Sequence, residues 1–263
     1  MFIWDYAANP VMESIMDWCY SQIVGFLGAF FAQMGNMGVE LFDLSWVQSV
    51  VSFFSQLGWA LFAVSVVVSA FECGIEYASG RGNLQQPAFN AIKGFFAVSL
   101  FTTVPVRLYA LSVSLQGTFA MEVTGAGKSI GELGNEILTG LEGAGLMDIA
   151  AQAKWGLGTN PIMLLFTMIL MAYAVIKVFF SNLKRGGILL IQIAVGSLYF
   201  FSVPRGYLDG FWNWGKQVAG LCLTAFLQTT MLTAGLMVWN TNMLLGCGMM
   251  LASTEVPRIA GAF

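Results

Sequence analysis

The sequence predicts an all-α integral membrane protein. About five transmembrane helices are expected, with an N-terminal interfacial amphipathic helix and a second amphipathic helix in a central outer loop. Three observations lead there. Hydrophobic residues make up 57% of the 263 and charged residues only 10%, against roughly a quarter charged in soluble domains. Mean hydropathy is +0.75. The apolar residues also gather in runs of the roughly 20 that a helix needs to cross the hydrocarbon core.

Composition also narrows the chemistry. Histidine is absent, which removes imidazole acid–base catalysis, Ser-His-Asp and Cys-His nucleophiles, and His metal ligands. Cys19, Cys73, Cys222 and Cys247 are far apart and form no C-x-x-C pair, so they are read as small hydrophobes packed among helices. No catalytic, cofactor-binding or metal-binding residue is assigned, and no cofactor is expected.

Residues 1–45 form an N-terminal extracytoplasmic region. Its opening, "MFIWDYAANP", lacks the basic start of a secretory signal, so insertion is expected to use internal apolar segments. "CYSQIVGFLGAFFAQM", residues 19–34, is short and flanked by Asp17, Glu40 and Asp43. It reads as a helix lying in the interface, with a sixth span as the alternative. Residues 46–115 hold the first transmembrane pair. The run 46–71 is free of charge, and 92–115 is expected to kink at Pro105. Residues 161–250 hold three further spans at 161–180, 188–203 and about 218–245, the first opening on Pro161, where a missing N–H costs nothing. Residues 251–263 form the tail.

Lysine and arginine set the expected orientation. Arg81, Lys93, Lys177, Lys184, Arg185 and Arg258 fall on one side of a five-span layout; Lys128, Lys154, Arg205 and Lys216 fall on the other. The "SNLKRGG" stretch, with Lys184 and Arg185, reads as a short cytoplasmic turn and the strongest marker. The positive-inside rule then puts the N-terminus outside and the C-terminus in the cytoplasm.

The central loop, 116–160, is then outside. In it Ile130, Leu133, Ile137 and Leu141 repeat at helical spacing, giving an amphipathic helix expected to lie on the membrane or on a neighbouring subunit. Just before it, Gly127-Lys128-Ser129 imitates the end of a nucleotide-binding loop. That loop needs a glycine five positions before Gly127, and the chain has Glu122 there. A carboxylate at that point repels phosphate and forbids the close turn.

Within the spans no carboxylate stands ready for ion coupling. Arg107 and Lys177 approach the hydrocarbon, either snorkelling to the interface or lining a water-filled passage. Gln56, Gln192 and Gln228 either hydrogen-bond between helices or line a pore. Ser65 with Ser69, and Gly28 with Ala32, offer small residues for close helix approach. "GFWNWGKQ", residues 210–217, suits an interfacial aromatic belt.

The segment order "MDWCYSQIVGFLGAFFAQMGNMGVELFDLSWVQSVVSFFSQLGWALFAV", "AIKGFFAVSLFTTVPVRLY" and "KRGGILLIQIAVGSLYFFSVPRGYLDGFWNWGKQV" resembles TrbL-type conjugal transfer proteins. These are polytopic cytoplasmic-membrane subunits of type IV secretion systems. The resemblance covers nearly the whole chain. It implies a non-enzymatic, homo-oligomeric channel or scaffold subunit. Its implied partners are the secretion ATPases, the coupling protein, the lipid bilayer and transferring single-stranded DNA with its attached protein. A small-molecule or ion transporter or channel is the alternative; the lack of an inverted repeat and of intramembrane acids counts against it.

Overall fold

The structure is a computed structural model, and it describes residues 10–33, 40–80, 82, 84–123, 128–142, 161–239 and 241–260. Among them every regular element is helical: α1 (Pro10–Gln33), α2 (Ser45–Ala78), α3 (Gln85–Leu100), α4 (Thr103–Val123), α5 (Ile130–Glu142), α6 (Pro161–Leu198), α7 (Asp209–Trp239), α8 (Met243–Ser253) and α9 (Val256–Ala260), with 3-10 turns at Glu40–Asp43, Tyr199–Phe201 and Val203–Arg205. The all-α membrane class therefore holds. α2, α6 and α7 are long and apolar enough to cross a bilayer, and α3 with α4 forms a pair bent by 49°.

Prolines set two boundaries where the sequence led us to expect them. α6 begins on Pro161. The α3–α4 break falls at Phe101, four residues before Pro105. A proline ring collides with the carbonyl four residues back and supplies no N–H, so the helix parts there.

Three sequence expectations need correction. The spans expected at 161–180 and 188–203 are one helix, α6, of 38 residues, roughly 57 Å long at 1.5 Å per residue. "SNLKRGG" lies inside it and is no turn, so Lys184 and Arg185 mark no loop. The span expected at 218–245 stops at Trp239, and α8 begins at Met243. Finally, Arg205 pairs with Glu72 at 2.6 Å, although the five-span layout put Glu72 inside and Arg205 outside. An ion pair cannot bridge a bilayer, so these two residues lie on the same side and that part of the layout fails.

The chain divides into two compact units. In the first, one core joins Tyr20, Val24, Leu27 and Phe31 of α1 to Leu133, Ile137 and Leu138 of α5, and also takes Met168 and Met171 of α6, Leu236 and Trp239 of α7, and Met250 of α8. The amphipathic helix expected in the loop is therefore present, but its apolar face is covered by the chain's own α1. Glycines permit this contact. A Cβ on Gly131 would lie 2.7 Å from the Phe31 carbonyl oxygen, and one on Gly134 would enter the Phe31 ring.

α7 and α8 form a tight antiparallel hairpin in the same unit. Asn242 caps α8 by accepting the Leu245 N–H at 3.1 Å. A Cβ on Gly246 would sit 2.8 Å from the Gly235 carbonyl and from the Trp239 backbone. α8 has 11 residues, about 16 Å, and so cannot cross the hydrocarbon alone.

The second unit packs α2 antiparallel to α3, with Gly58 against Phe101 and Phe200, and Gly94 against Phe62 and Pro204. Ser65 donates to the Phe201 carbonyl at 2.7 Å and Ser69 to the Pro204 carbonyl at 3.2 Å. These small residues thus satisfy a turn whose carbonyls α6 has left free. The turn closes at Gly206, whose φ of +94° is a left-handed conformation that favours glycine.

Candidate functional site

The nucleotide-loop imitation resolves into a helix start. The Ser129 N–H donates to Glu132 Oε2 at 2.7 Å, and the Glu132 N–H donates to Ser129 Oγ at 3.3 Å. This reciprocal pair is a capping box that satisfies N–H groups at the start of α5. The hydrogen bonds from Ser129, first its backbone N–H and then its hydroxyl, hold the Glu132 carboxyl below its ordinary pKa. Lys128 is spent on Glu136, with Nζ 2.7 and 2.6 Å from the two carboxylate oxygens. Residues 124–127 lie outside the described residues.

The polar residues singled out in the sequence divide into two groups. Several are occupied in bonds between helices. Gln228, 1% exposed, accepts from the Ser181 hydroxyl at 3.2 Å. Gln192 donates to Gln217 at 3.1 Å, while its carbonyl receives the Trp214 indole N–H at 2.7 Å. Lys177 donates to the Thr254 hydroxyl at 3.3 Å, and its ammonium lies 5.6 Å from the Tyr173 ring centroid. Gln56, Arg107 and Lys184 are exposed.

The aromatic cluster also divides. Trp212 is exposed as an interfacial anchor would be, whereas Trp214 is buried and stacks on Phe211 with centroids 5.3 Å apart. A Cβ on Gly196 would lie 2.8 Å from the Trp214 ring, so this glycine makes room for the indole.

Arg185 is the residue sequence reasoning placed wrongly. Its side chain is buried, only 4% exposed, near the electrostatic field of the equally buried Tyr109. Ser112, one turn along α4 from Tyr109, donates to the Leu108 carbonyl at 3.0 Å. A guanidinium brings a planar fork of donors that cannot be neutralised at physiological pH. An ionisable group on an apolar helix of this kind is conventionally tied to function or to a specific partner. Here the buried guanidinium of α6 and the buried phenol of α4 lie within electrostatic reach of each other. The signal available was weak: Lys-Arg-Gly-Gly reads locally as a turn, and Tyr109 is far away in sequence.

Glu72 and Arg205 were also missed. The carboxylate accepts from Arg205 Nη2 at 2.6 Å and from Nε at 3.1 Å. The guanidinium carbon is 5.5 Å from the Phe201 ring centroid and 5.7 Å from that of Tyr207. A two-point contact between fork and carboxylate fixes orientation as well as charge, which pins the turn after α6 to the end of α2.

Among the described residues, no group of three or more Cys, Asp or Glu side chains is placed to hold a metal ion. Comparison with curated proteins and with solved structures gave no match. The family profile described as "Conjugal transfer protein TrbL" matches residues 1–263. With apolar helices long enough to cross a bilayer and a match over its entire length, the chain belongs to the TrbL family of conjugal transfer proteins.

Proposed function

We propose that this protein is an oligomeric, non-enzymatic subunit of the bacterial cytoplasmic membrane. It serves as scaffold or channel for the passage of single-stranded DNA with its attached protein, beside the secretion ATPases and the coupling protein. The observation that carries this reading is the bareness of α2. Only 11% of its most apolar stretch is buried within the chain, against 50% for α7. Phe53, Val64, Val67, Phe71 and Ile75 stand exposed along it, and helices packed on neighbouring copies would present such a face.

The test is disulfide crosslinking in native membranes. With Cys19 replaced by serine, Val64→Cys or Val67→Cys is expected to yield a covalent dimer, while the buried Cys73, Cys222 and Cys247 stay silent. Absence of dimer from every exposed α2 position would overturn self-assembly through this helix. Photocrosslinking of transferring DNA to the same positions separates channel from scaffold.

The proposal includes a revised topology. Four crossings, by α2, the bent α3–α4 pair, α6 and α7, would put the α2–α3 connection, whose sequence includes Arg81, on the same side as Arg205. The positive-inside rule makes that side cytoplasmic. α1 stays outside, and the segment after α7 joins it there. A topology reporter fused after Ala260 is expected to report an extracytoplasmic position; a cytoplasmic signal would restore an odd number of crossings.

A further inference from the structure

The second unit contains a groove of about 360 Å³ between the start of α2 and the α3–α4 break. Its polar lining is Gln48, Ser52, Ser55, Thr102, Thr103 and Arg107. The Gln48 amide is anchored on the Phe42 carbonyl at 3.3 Å. Ser52, Ser55, Thr102, Thr103 and Arg107 make no side-chain hydrogen bond or ion pair among the described residues. Four hydroxyls and a guanidinium with free donors therefore converge on one concavity that no carboxylate lines. Donors left unanswered beside hydrocarbon are costly, so a partner rich in acceptor oxygens stabilises the arrangement.

We propose that this groove binds the phosphate of an anionic phospholipid headgroup. Depth favours a lipid. Gln48 to Ser55 lie within roughly the first 15 Å of α2 at 1.5 Å per residue, next to Trp46, which is exposed and of a residue type enriched at membrane interfaces. Val51 and Val106 line the same groove, and Phe53 and Val104 on the same helices are exposed, giving acyl chains an apolar wall. Charge disfavours a nucleic acid, because a polyanion needs several cations along its backbone and the groove has one.

The test uses the full chain in nanodiscs of phosphatidylcholine mixed with phosphatidylglycerol, with retained lipid counted by native mass spectrometry. The native protein is expected to retain phosphatidylglycerol preferentially. Arg107→Gln is expected to cut that preference about tenfold, as loss of a charge-assisted contact implies. Arg107→Lys keeps the charge and loses less. Ser52→Ala with Thr103→Val, which leaves the charge untouched, lowers retention more modestly and covers the case in which Arg107→Gln does not fold. Equal retention by native protein and all folded variants would overturn the proposal. So would displacement of the lipid by inorganic phosphate or by a single-stranded oligonucleotide, which would identify a different ligand.

Discussion

Gly246→Leu is expected to open the C-terminal hairpin. The new side chain would start 2.8 Å from the Gly235 carbonyl and from the Trp239 backbone, and backbone cannot rotate away as a side chain can. Overpacking commonly costs about 1–3 kcal/mol, and a collision with backbone on two helix turns lies at or above the top of that range. Met250, which is fully buried, and Cys247, whose thiol donates to the Thr167 carbonyl at 3.3 Å, would lose their places with it. The control lies two residues on. A Cβ on Gly248 meets nothing within 4 Å, so Gly248→Ala should raise stability by roughly 0.5–1 kcal/mol through helix propensity alone. Thermal unfolding in detergent, with limited proteolysis between α7 and α8, measures both. Equal tolerance of Gly246→Ala and Gly248→Ala would show that the hairpin does not close as described.

Phe31→Ala should release α1 from α5. Phe31 is 1% exposed and lies against Gly131 and Gly134, and truncating a buried phenylalanine costs about 3–5 kcal/mol. The pair makes a sharper test than either residue alone. Gly134→Ala drives a methyl into the Phe31 ring and should destabilise the native protein, yet be tolerated once Phe31 is alanine. A double-mutant cycle on proteolytic release of α1 measures that coupling; simple additivity would refute the contact. Gly140→Ala, with open space around its Cβ, should be neutral or stabilising in either background.

Much of the fold was legible because its signals are local. Low charge and long apolar runs require a bilayer whatever the packing. Pro161 and Pro105 act through their own ring and missing N–H, and both mark helix boundaries. The 3.6-residue repeat of Ile130, Leu133 and Ile137 produced the helix it implies, and Glu122 ruled out the phosphate loop by its chemistry. One local signal was overlooked: Ser129 followed three residues later by Glu132 spells the capping box that now explains the Gly-Lys-Ser tripeptide.

What misled was also local. Lys184-Arg185-Gly186-Gly187 has the composition of a turn, and two glycines cost a helix about 1 kcal/mol each relative to alanine. Burial of Arg185 near Tyr109 and of its neighbours on α6 outweighs that cost, and those partners lie far off in sequence. The Glu72–Arg205 pair is equally remote, joining residues 133 positions apart, and no spacing rule reveals it.

By itself, then, the sequence determined the solvent this protein lives in, its helical class, several helix ends and its family. Those follow from transfer free energy, backbone geometry and residue order, which act within a turn or two of the chain. The tertiary structure decided how many helices those apolar runs become and which glycines are spaces for a neighbour. It also decided which distant charges pair and where a guanidinium and four hydroxyls are left with donors to spare. These depend on contacts between distant segments, where packing and pairing energies override the local preferences from which a sequence is read.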